Sequence, residues 1–236
     1  MAIESDATRA EPAPDAGDLT DELLGESRWP PLAAIVIFMA LNIAARLWLP
    51  GEGAVRVPWL LPAVEATLLV VLVTGNPSGV VERRRMRRIA LGLVYLLVLA
   101  ALWATGFLVA DLIRGKGVAN DASELLASGA IVFLGNNLAF ALLYWLVDGG
   151  GAAARLRRGR PVDFAFPQHL SPEVAPPGWR PVFLDYLYLG FTNSMAFSPT
   201  DVMPLTHRAK FAMVVQSMLS LALFGLVVAR AVNAFT

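Results

Sequence analysis

The sequence predicts an all-α integral membrane protein, a bundle of about six transmembrane helices. Of its 236 residues, 56% are hydrophobic and 16% are charged, whereas soluble domains carry about 25% charged residues. Apolar runs of about 20 residues, long enough to cross a bilayer as helices, also recur along the chain. We therefore expect a lipid bilayer around the protein, and neither a soluble enzyme nor a nucleic-acid-binding protein.

Five apolar segments predict five spanning helices, and a sixth segment is ambiguous. The five segments cover residues 31–49, 57–74, 89–113, 125–147 and 209–232. The ambiguous segment, 182–197, is short and contains Asp185 and the polar run Thr192-Asn193-Ser194. It is either a sixth spanning helix or a re-entrant helix that leaves five spans, and we expect six.

The first 28 residues predict a disordered acidic tail. Between Glu4 and Glu26 there are eight acids and one base, a charge of −7, and the remaining residues carry +7. Acidic segments with almost no aromatic residues do not bury enough apolar surface to fold. The tail also lacks the basic start of a signal peptide.

Arginines orient the predicted helices. Ten arginines lie in two loops, five at 83, 84, 85, 87 and 88 and five at 155, 157, 158, 160 and 180. Because loops rich in Arg face the cytoplasm, we expect both loops and the amino terminus to be cytoplasmic, in a bacterial inner membrane. Six helices would make 198–206 an outer loop and place the carboxyl terminus, with Arg230, inside. A re-entrant segment would place that terminus outside.

The chain divides into four predicted regions: the tail 1–28, a four-helix transmembrane region 29–147, a cytoplasmic connector 148–181, and a helical hairpin 182–236. Six prolines between Pro161 and Pro181 predict that this part of the connector forms neither helix nor sheet. The connector's aromatic residues suggest that it packs on the bundle or on the membrane surface, and a simple linker is the alternative.

Charged residues inside a bilayer are costly and need a reason. Glu65 lies near the middle of the second segment, and Asn42 and Arg46 share one face of the first. Because these helices are joined by a short loop, an Arg46–Glu65 ion pair is plausible. The alternatives are a role for Glu65 in transport or proton relay, and an Arg46 side chain that reaches the outer interface.

Other polar residues suggest a path through the bundle. The candidate residues are Glu65, Asn136, Asn137, Thr192, Asn193 and Asp201. Amides and small polar residues in spanning helices also bond one helix to another, and the same applies to Gln216, Ser217 and Ser220. Packing and permeation therefore both stay open for them.

Catalysis and cofactor binding are not expected. The chain has no cysteine and only two histidines, His169 and His207, which leaves little for a metal or haem site. No serine lies in a G-x-S-x-G motif, and no phosphate-binding glycine loop is present. We predict no catalytic residue, no cofactor and no metal.

The carboxyl-terminal region contains several distinctive runs: Phe166-Pro167-Gln168, Asp185-Tyr186-Leu187-Tyr188, Phe191-Thr192-Asn193, Ala196 to Asp201, Met203 to Thr206 and Ala229 to Asn233. With these runs the region resembles a family of uncharacterised actinobacterial multi-pass membrane proteins. The resemblance implies membership of a membrane family but no activity.

The run from Tyr188 to Thr206 is also weakly similar to the pore module of tetrameric potassium channels. In that module a pore helix, a filter and a Pro-Leu-Thr-like segment lead into an inner helix. The filter is a Thr-Val-Gly-Tyr-Gly run, and this chain has Ser194-Met195-Ala196-Phe197-Ser198 in its place. This difference argues against potassium selectivity.

Two function classes follow from these observations. The first is a channel-like or transporter-like protein for an ion or small solute, which could act as a homo-oligomer. The second is a non-transporting membrane component that binds a partner through its cytoplasmic loops or its acidic tail.

Overall fold

The structure is a computed structural model that describes residues 29–48, 80–114, 122–155, 161–195 and 201–234, and seven residues between 62 and 70. The described residues are mostly helical (83%) and contain seven α-helices, which confirms the all-α prediction. The acidic tail predicted at 1–28 lies outside them.

The helices are numbered in chain order. They are α1 (Trp29–Trp48), α2 (Val80–Arg114), α3 (Ala122–Val147), α4 (Ala152–Arg155), α5 (Pro167–Leu170), α6 (Phe183–Met195) and α7 (His207–Ala234). A 3₁₀ turn, Asp148–Gly150, follows α3. Two short strands, β1 (Phe164–Ala165) and β2 (Met203–Pro204), pair antiparallel.

Three of the described helices are long and apolar enough to cross a membrane, as expected for a membrane protein. Their apolar spans are Arg85–Ala110, Ser123–Gly150 and His207–Ala229. Helix α1 contains a shorter apolar stretch, Trp29–Ala44. The predicted second span, 57–74, is described only in part, and its described residues are helical.

Helix α2 begins earlier than the hydropathy pattern predicts. The apolar segment starts at 89, but the helix starts at Val80 and includes the arginines of the first basic loop. Arginine is a good helix former, so the helix continues beyond the apolar residues. Arg85, Arg87 and Arg88 are exposed on this extension.

Helix α3 is the central element, because α1, α2, α6 and α7 all pack against it. The main hydrophobic core lies around its second half and contains Phe38, Leu97, Phe140, Tyr186 and Leu189 from four different helices. A smaller core lies around its first half.

The smaller core fixes the direction of α7. It joins Leu108 near the end of α2, Leu125 near the start of α3 and Leu223 in the second half of α7. Helix α7 therefore runs along the bundle from the last turn of α3 toward the first turn of α3.

The prediction that 161–181 contains no regular structure is wrong at two places. β1 lies between prolines 161 and 167, where the backbone donors are intact, and pairs with β2. Helix α5 begins at Pro167, and a first helical position needs no N–H donor. The connector's Phe164 and Phe166 belong to the main core, and Trp179 packs against it, as one of the two sequence interpretations predicted.

A glycine turn reverses the chain after α3. Gly149 and Gly151 have φ angles of 55° and 93°, which side chains rarely adopt. A Cβ on Gly149 would also lie 2.9 Å from Cγ of Arg155. The turn brings the connector back over the end of α3.

Candidate functional site

A cluster of polar side chains lies between α3, α6 and α7, inside the bundle. We call it the inner polar cluster; its members are Asn137, Tyr144, Asn193, Ser194, Gln216 and Ser217. Ser194 donates to Oδ1 of Asn137 at 3.0 Å, and Ser217 donates to the backbone oxygen of Asn193 at 3.1 Å. The cluster therefore joins α6 to both of the long helices beside it.

Gln216 is at the centre of the inner polar cluster and has 0% of its surface exposed. Its Oε1 accepts hydrogen bonds from the Tyr144 hydroxyl at 2.6 Å and from Nδ2 of Asn193 at 2.8 Å. Its Nε2 donates to the Gly190 carbonyl at 3.0 Å and to Oγ of Ser194 at 2.9 Å. Since buried polar groups without partners are costly, this full set of bonds holds α6 in one position.

Helix α6 also approaches α3 closely at Gly190. A Cβ on Gly190 would lie 3.3 Å from the Asn137 carbonyl oxygen. Asn137 itself donates from Nδ2 to the Phe133 carbonyl of its own helix at 2.9 Å, which leaves its Oδ1 for Ser194. Gly190 therefore allows the close approach, and the hydrogen bond between Ser194 and Asn137 holds α6 against α3.

A second polar cluster, built around Asp148 and Asp163, lies at the end of α3. Both residues have 0% of their surface exposed. Oδ1 of Asp148 accepts hydrogen bonds from the backbone N–H groups of Asp163 at 2.6 Å and Phe164 at 3.2 Å. Its Oδ2 accepts one from the Tyr186 hydroxyl. We call these residues and their partners the Asp148–Asp163 cluster.

Asp163 binds the first turn of α7. Its Oδ1 accepts hydrogen bonds from the Thr206 hydroxyl at 2.6 Å and from Nε of Arg208 at 2.7 Å. Its Oδ2 accepts from Nη2 of Arg208 at 2.6 Å and from the Gly149 N–H at 3.1 Å. Burial acts to raise the pKa of Asp163, but these hydrogen bonds and the Arg208 charge together hold the pKa below its ordinary value.

Thr206 has a second role as the cap of α7. Its Oγ1 accepts a hydrogen bond from the Ala209 N–H at 3.4 Å, which is the bond of an N-cap residue. The Leu205 N–H also donates to the Asp163 carbonyl at 2.8 Å. The start of α7 is therefore fixed to the connector by backbone and side-chain bonds.

These contacts place both flanks of α6 at one end of the bundle. Tyr186, in its first turn, bonds Asp148 at the end of α3. Beyond α6, Met203 pairs with Ala165 and Arg208 with Asp163, beside the same end of α3. A six-helix arrangement would put 198–206 at the far end, so that arrangement is not confirmed.

The structure divides the predicted path residues among different surroundings. Asn137 and Asn193 meet in the inner polar cluster, whereas Asn136 donates from Nδ2 to Oγ1 of Thr105 on α2 at 2.9 Å. Thr192 donates to carbonyls of its own helix. Asp201 is exposed at the connector end.

Glu65 is a separate site, with 0% of its surface exposed. Neither of its carboxylate oxygens has a hydrogen-bond partner among the residues that the structure describes. The Arg46 side chain lies outside the described residues, so the Arg46–Glu65 ion pair stays a prediction.

Three residues of these clusters were missed by the sequence interpretation, which singled out neither Tyr144 nor Asp148 nor Asp163. Asp148 had one usable signal, since it stands between a long apolar helix and three glycines. Asp163 had none, because its partner Arg208 is 45 residues away in the chain.

Within the described ranges there is no group of three or more His, Asp or Glu side chains that could hold a metal ion. Comparison with known proteins finds no matching family model, no matching curated protein and no matching solved structure. The resemblance to an actinobacterial membrane family therefore stays a prediction.

Gln216→Leu tests the inner polar cluster. We expect it to lower the free energy of unfolding in detergent by about 2 kcal/mol, because four hydrogen bonds of modest strength in a membrane interior are lost. Ser220→Ala is the matched control one turn further along α7, since Oγ of Ser220 is buried with no partner among the described residues. Equal unfolding temperatures for the two variants would contradict the assigned role of Gln216.

Asp163→Asn tests the Asp148–Asp163 cluster. We expect a loss of about 2 kcal/mol in unfolding free energy at neutral pH, the scale of hydrogen bonds to a charged group. Because the folded pKa of Asp163 is lowered, this contribution is present above about pH 4 and disappears as the pH falls through the folded pKa. The difference from wild type should therefore shrink only in strong acid, whereas Glu173→Gln, at an exposed site, should match wild type throughout.

Proposed function

We propose that the protein is a channel-like or transporter-like membrane protein for an ion or small solute, with five spanning helices and α6 as a re-entrant helix. The observation that supports this proposal most directly is the position of α6, whose two flanking segments meet at one end of the bundle. The proposal replaces the sixth span expected from the sequence with the re-entrant alternative.

The length of α6 supports re-entry. Its 13 residues extend about 20 Å, at 1.5 Å per residue, which is short of the roughly 30 Å of a bilayer core. Asn193, near its end, bonds Gln216, which lies about 14 Å along α7 from His207. The chain therefore reaches the interior of the bundle at Asn193 and is back at the connector by Met203.

A segment that turns back inside a membrane has a particular requirement. Non-helical backbone at membrane depth is tolerated only where protein covers it or where it lines a water-filled cavity. Channels and transporters use such segments to present polar groups to a solute. Thr192, which is half-buried, and Asp201, which is exposed, flank the turn and are our candidates for contact with that solute.

A second copy of the chain would cover apolar faces that this bundle leaves exposed. Leu184, Tyr188, Phe191 and Met195 form an exposed apolar face on α6. In α7, 22% of the apolar span is buried, compared with 50% in α2 and 56% in α3. A homo-oligomer that joins these faces would shield the turn from lipid.

The arginine distribution supports an orientation for this arrangement. If the two basic loops are cytoplasmic, the amino terminus is cytoplasmic, α6 enters from the cytoplasmic side and α7 ends outside. A bacterial inner membrane is the location that this orientation fits.

Cysteine labelling tests the topology, because the chain has no native cysteine. We expect Met203→Cys and Glu173→Cys to react with a membrane-impermeant thiol reagent from one side, and Ser123→Cys from the other. These three positions are exposed, so each should be accessible. Labelling of Met203→Cys from the Ser123→Cys side would contradict re-entry and restore the six-helix arrangement.

Liposome flux tests the function. Purified protein should carry ions above the rate of empty liposomes, and Glu65→Gln and Asp201→Asn should each reduce that flux at unchanged unfolding temperature. Glu173→Gln, which removes an exposed connector carboxylate, should retain it. Absence of flux from folded wild-type protein would contradict transport and favour the non-transporting component that binds a partner.

A further inference from the structure

Glu65 faces the interior of the bundle. Pro62 and Glu65 are buried and Leu69 is half-buried, while Thr67 is exposed. Positions spaced by three and four share one face of a helix, so Pro62, Glu65 and Leu69 lie together. Because Leu69 packs against the main core, this face points inward and not toward lipid.

The carboxyl group of Glu65 is unpartnered there. Both oxygens are buried and neither has a hydrogen-bond partner among the described residues. Removing an isolated carboxylate charge from water is so unfavourable that such a group usually neutralises instead. A bound proton achieves this without any partner, because a neutral acid carries no net charge to solvate.

Few ionisable groups are available to neutralise Glu65 in another way. Segment 57–74 contains no other ionisable side chain. Arg46 is the one base in α1, and α7 has none between 211 and 229. Within the apolar spans of α2 and α3, the ionisable groups away from the ends are the phenols of Tyr95 and Tyr144, while the ends carry Arg85, Arg87, Arg88, Glu124 and Asp148. Helix α6 contributes phenols and Asp185 at its start.

A metal cation fits the site less well than a proton. Ca²⁺ takes about six to eight oxygen ligands, and Mg²⁺ is octahedral. The Glu65 oxygens have no hydrogen-bond partner among the described residues, and the described part of the chain has no acidic or histidine group of metal-binding size. One proton needs only the carboxyl group itself.

We propose that Glu65 is a proton-binding site inside the membrane, with its carboxyl group present as a neutral acid in the folded protein. An exchangeable proton on Glu65 would allow the protein to carry protons, or to couple the movement of a solute to the movement of a proton. This consequence for transport rests on the proposed function, whereas the binding site itself does not.

Reaction with a hydrophobic carbodiimide tests the inference. The reagent enters the bilayer, and a protonated carboxyl group adds to it and rearranges to a stable N-acylurea without loss of any atom. We expect one adduct on wild-type protein in liposomes, located at Glu65 by mass spectrometry of peptides. Labelling should fall to background in Glu65→Gln, stay unchanged in Glu173→Gln, and decrease as the pH is raised.

Arg46→Leu separates a neutral acid from an ion pair. A neutral Glu65 should label equally with and without Arg46. Weak labelling of wild type that rises in Arg46→Leu would overturn the proton-binding site in favour of the ion pair. Infrared spectroscopy reports the same protonation state without a reagent. A protonated Glu65 should give the carbonyl band of a neutral acid in the difference spectrum between wild type and Glu65→Gln.

The two proposals fail in different ways. Ion flux without an adduct at Glu65, and without the infrared band of a protonated acid, would overturn the proton-binding site and leave the proposed function. The adduct and the band in a protein that carries no ion or solute would overturn the proposed function and support the proton-binding site.

Discussion

The Asp163–Arg208 ion pair is the interaction on which the arrangement of this bundle depends. Asp163 is buried and Arg208 is 62% exposed, and the pair joins the connector to the first turn of α7. Asp148 binds the adjacent backbone and the Tyr186 hydroxyl, so the end of α3 and the start of α6 join the same cluster. Both flanks of this 13-residue helix are thereby fixed at one end of the bundle, which is the basis of the proposed re-entrant arrangement.

Polar groups in the bundle interior differ in whether they have hydrogen-bond partners. In the inner polar cluster, Gln216 has partners for both its oxygen and its nitrogen, which is what a fixed structural network requires. Glu65 is as deeply buried but has no hydrogen-bond partner among the described residues. The cluster therefore accounts for how α6 is held, and Glu65 is the group whose burial needs a functional explanation.

The sequence predicted features that depend on local pattern and missed those that depend on distant partners. Apolar runs predicted the all-α fold. Whether segment 182–197 spans or re-enters depends on where α7 starts. That position is fixed by the bond between Asp163 and Arg208, which are 45 residues apart in the chain. Asn137 and Asn193 were singled out by residue type, but their common cluster arises only when α3 and α6 pack. No local signal identified Asp163.

A disulfide cross-link between positions 165 and 203 tests the central claim most directly. Ala165 and Met203 are opposite each other in the β1–β2 pair, and paired strand residues lie about 4.5–5.5 Å apart, a separation that disulfides span. Ala165→Cys with Met203→Cys should give an intramolecular disulfide on mild oxidation in the membrane, and Ala165→Cys with Ser123→Cys should not. A 165–203 pair that fails to cross-link in folded protein would place these residues apart, as six spanning helices require, and would contradict the re-entrant arrangement.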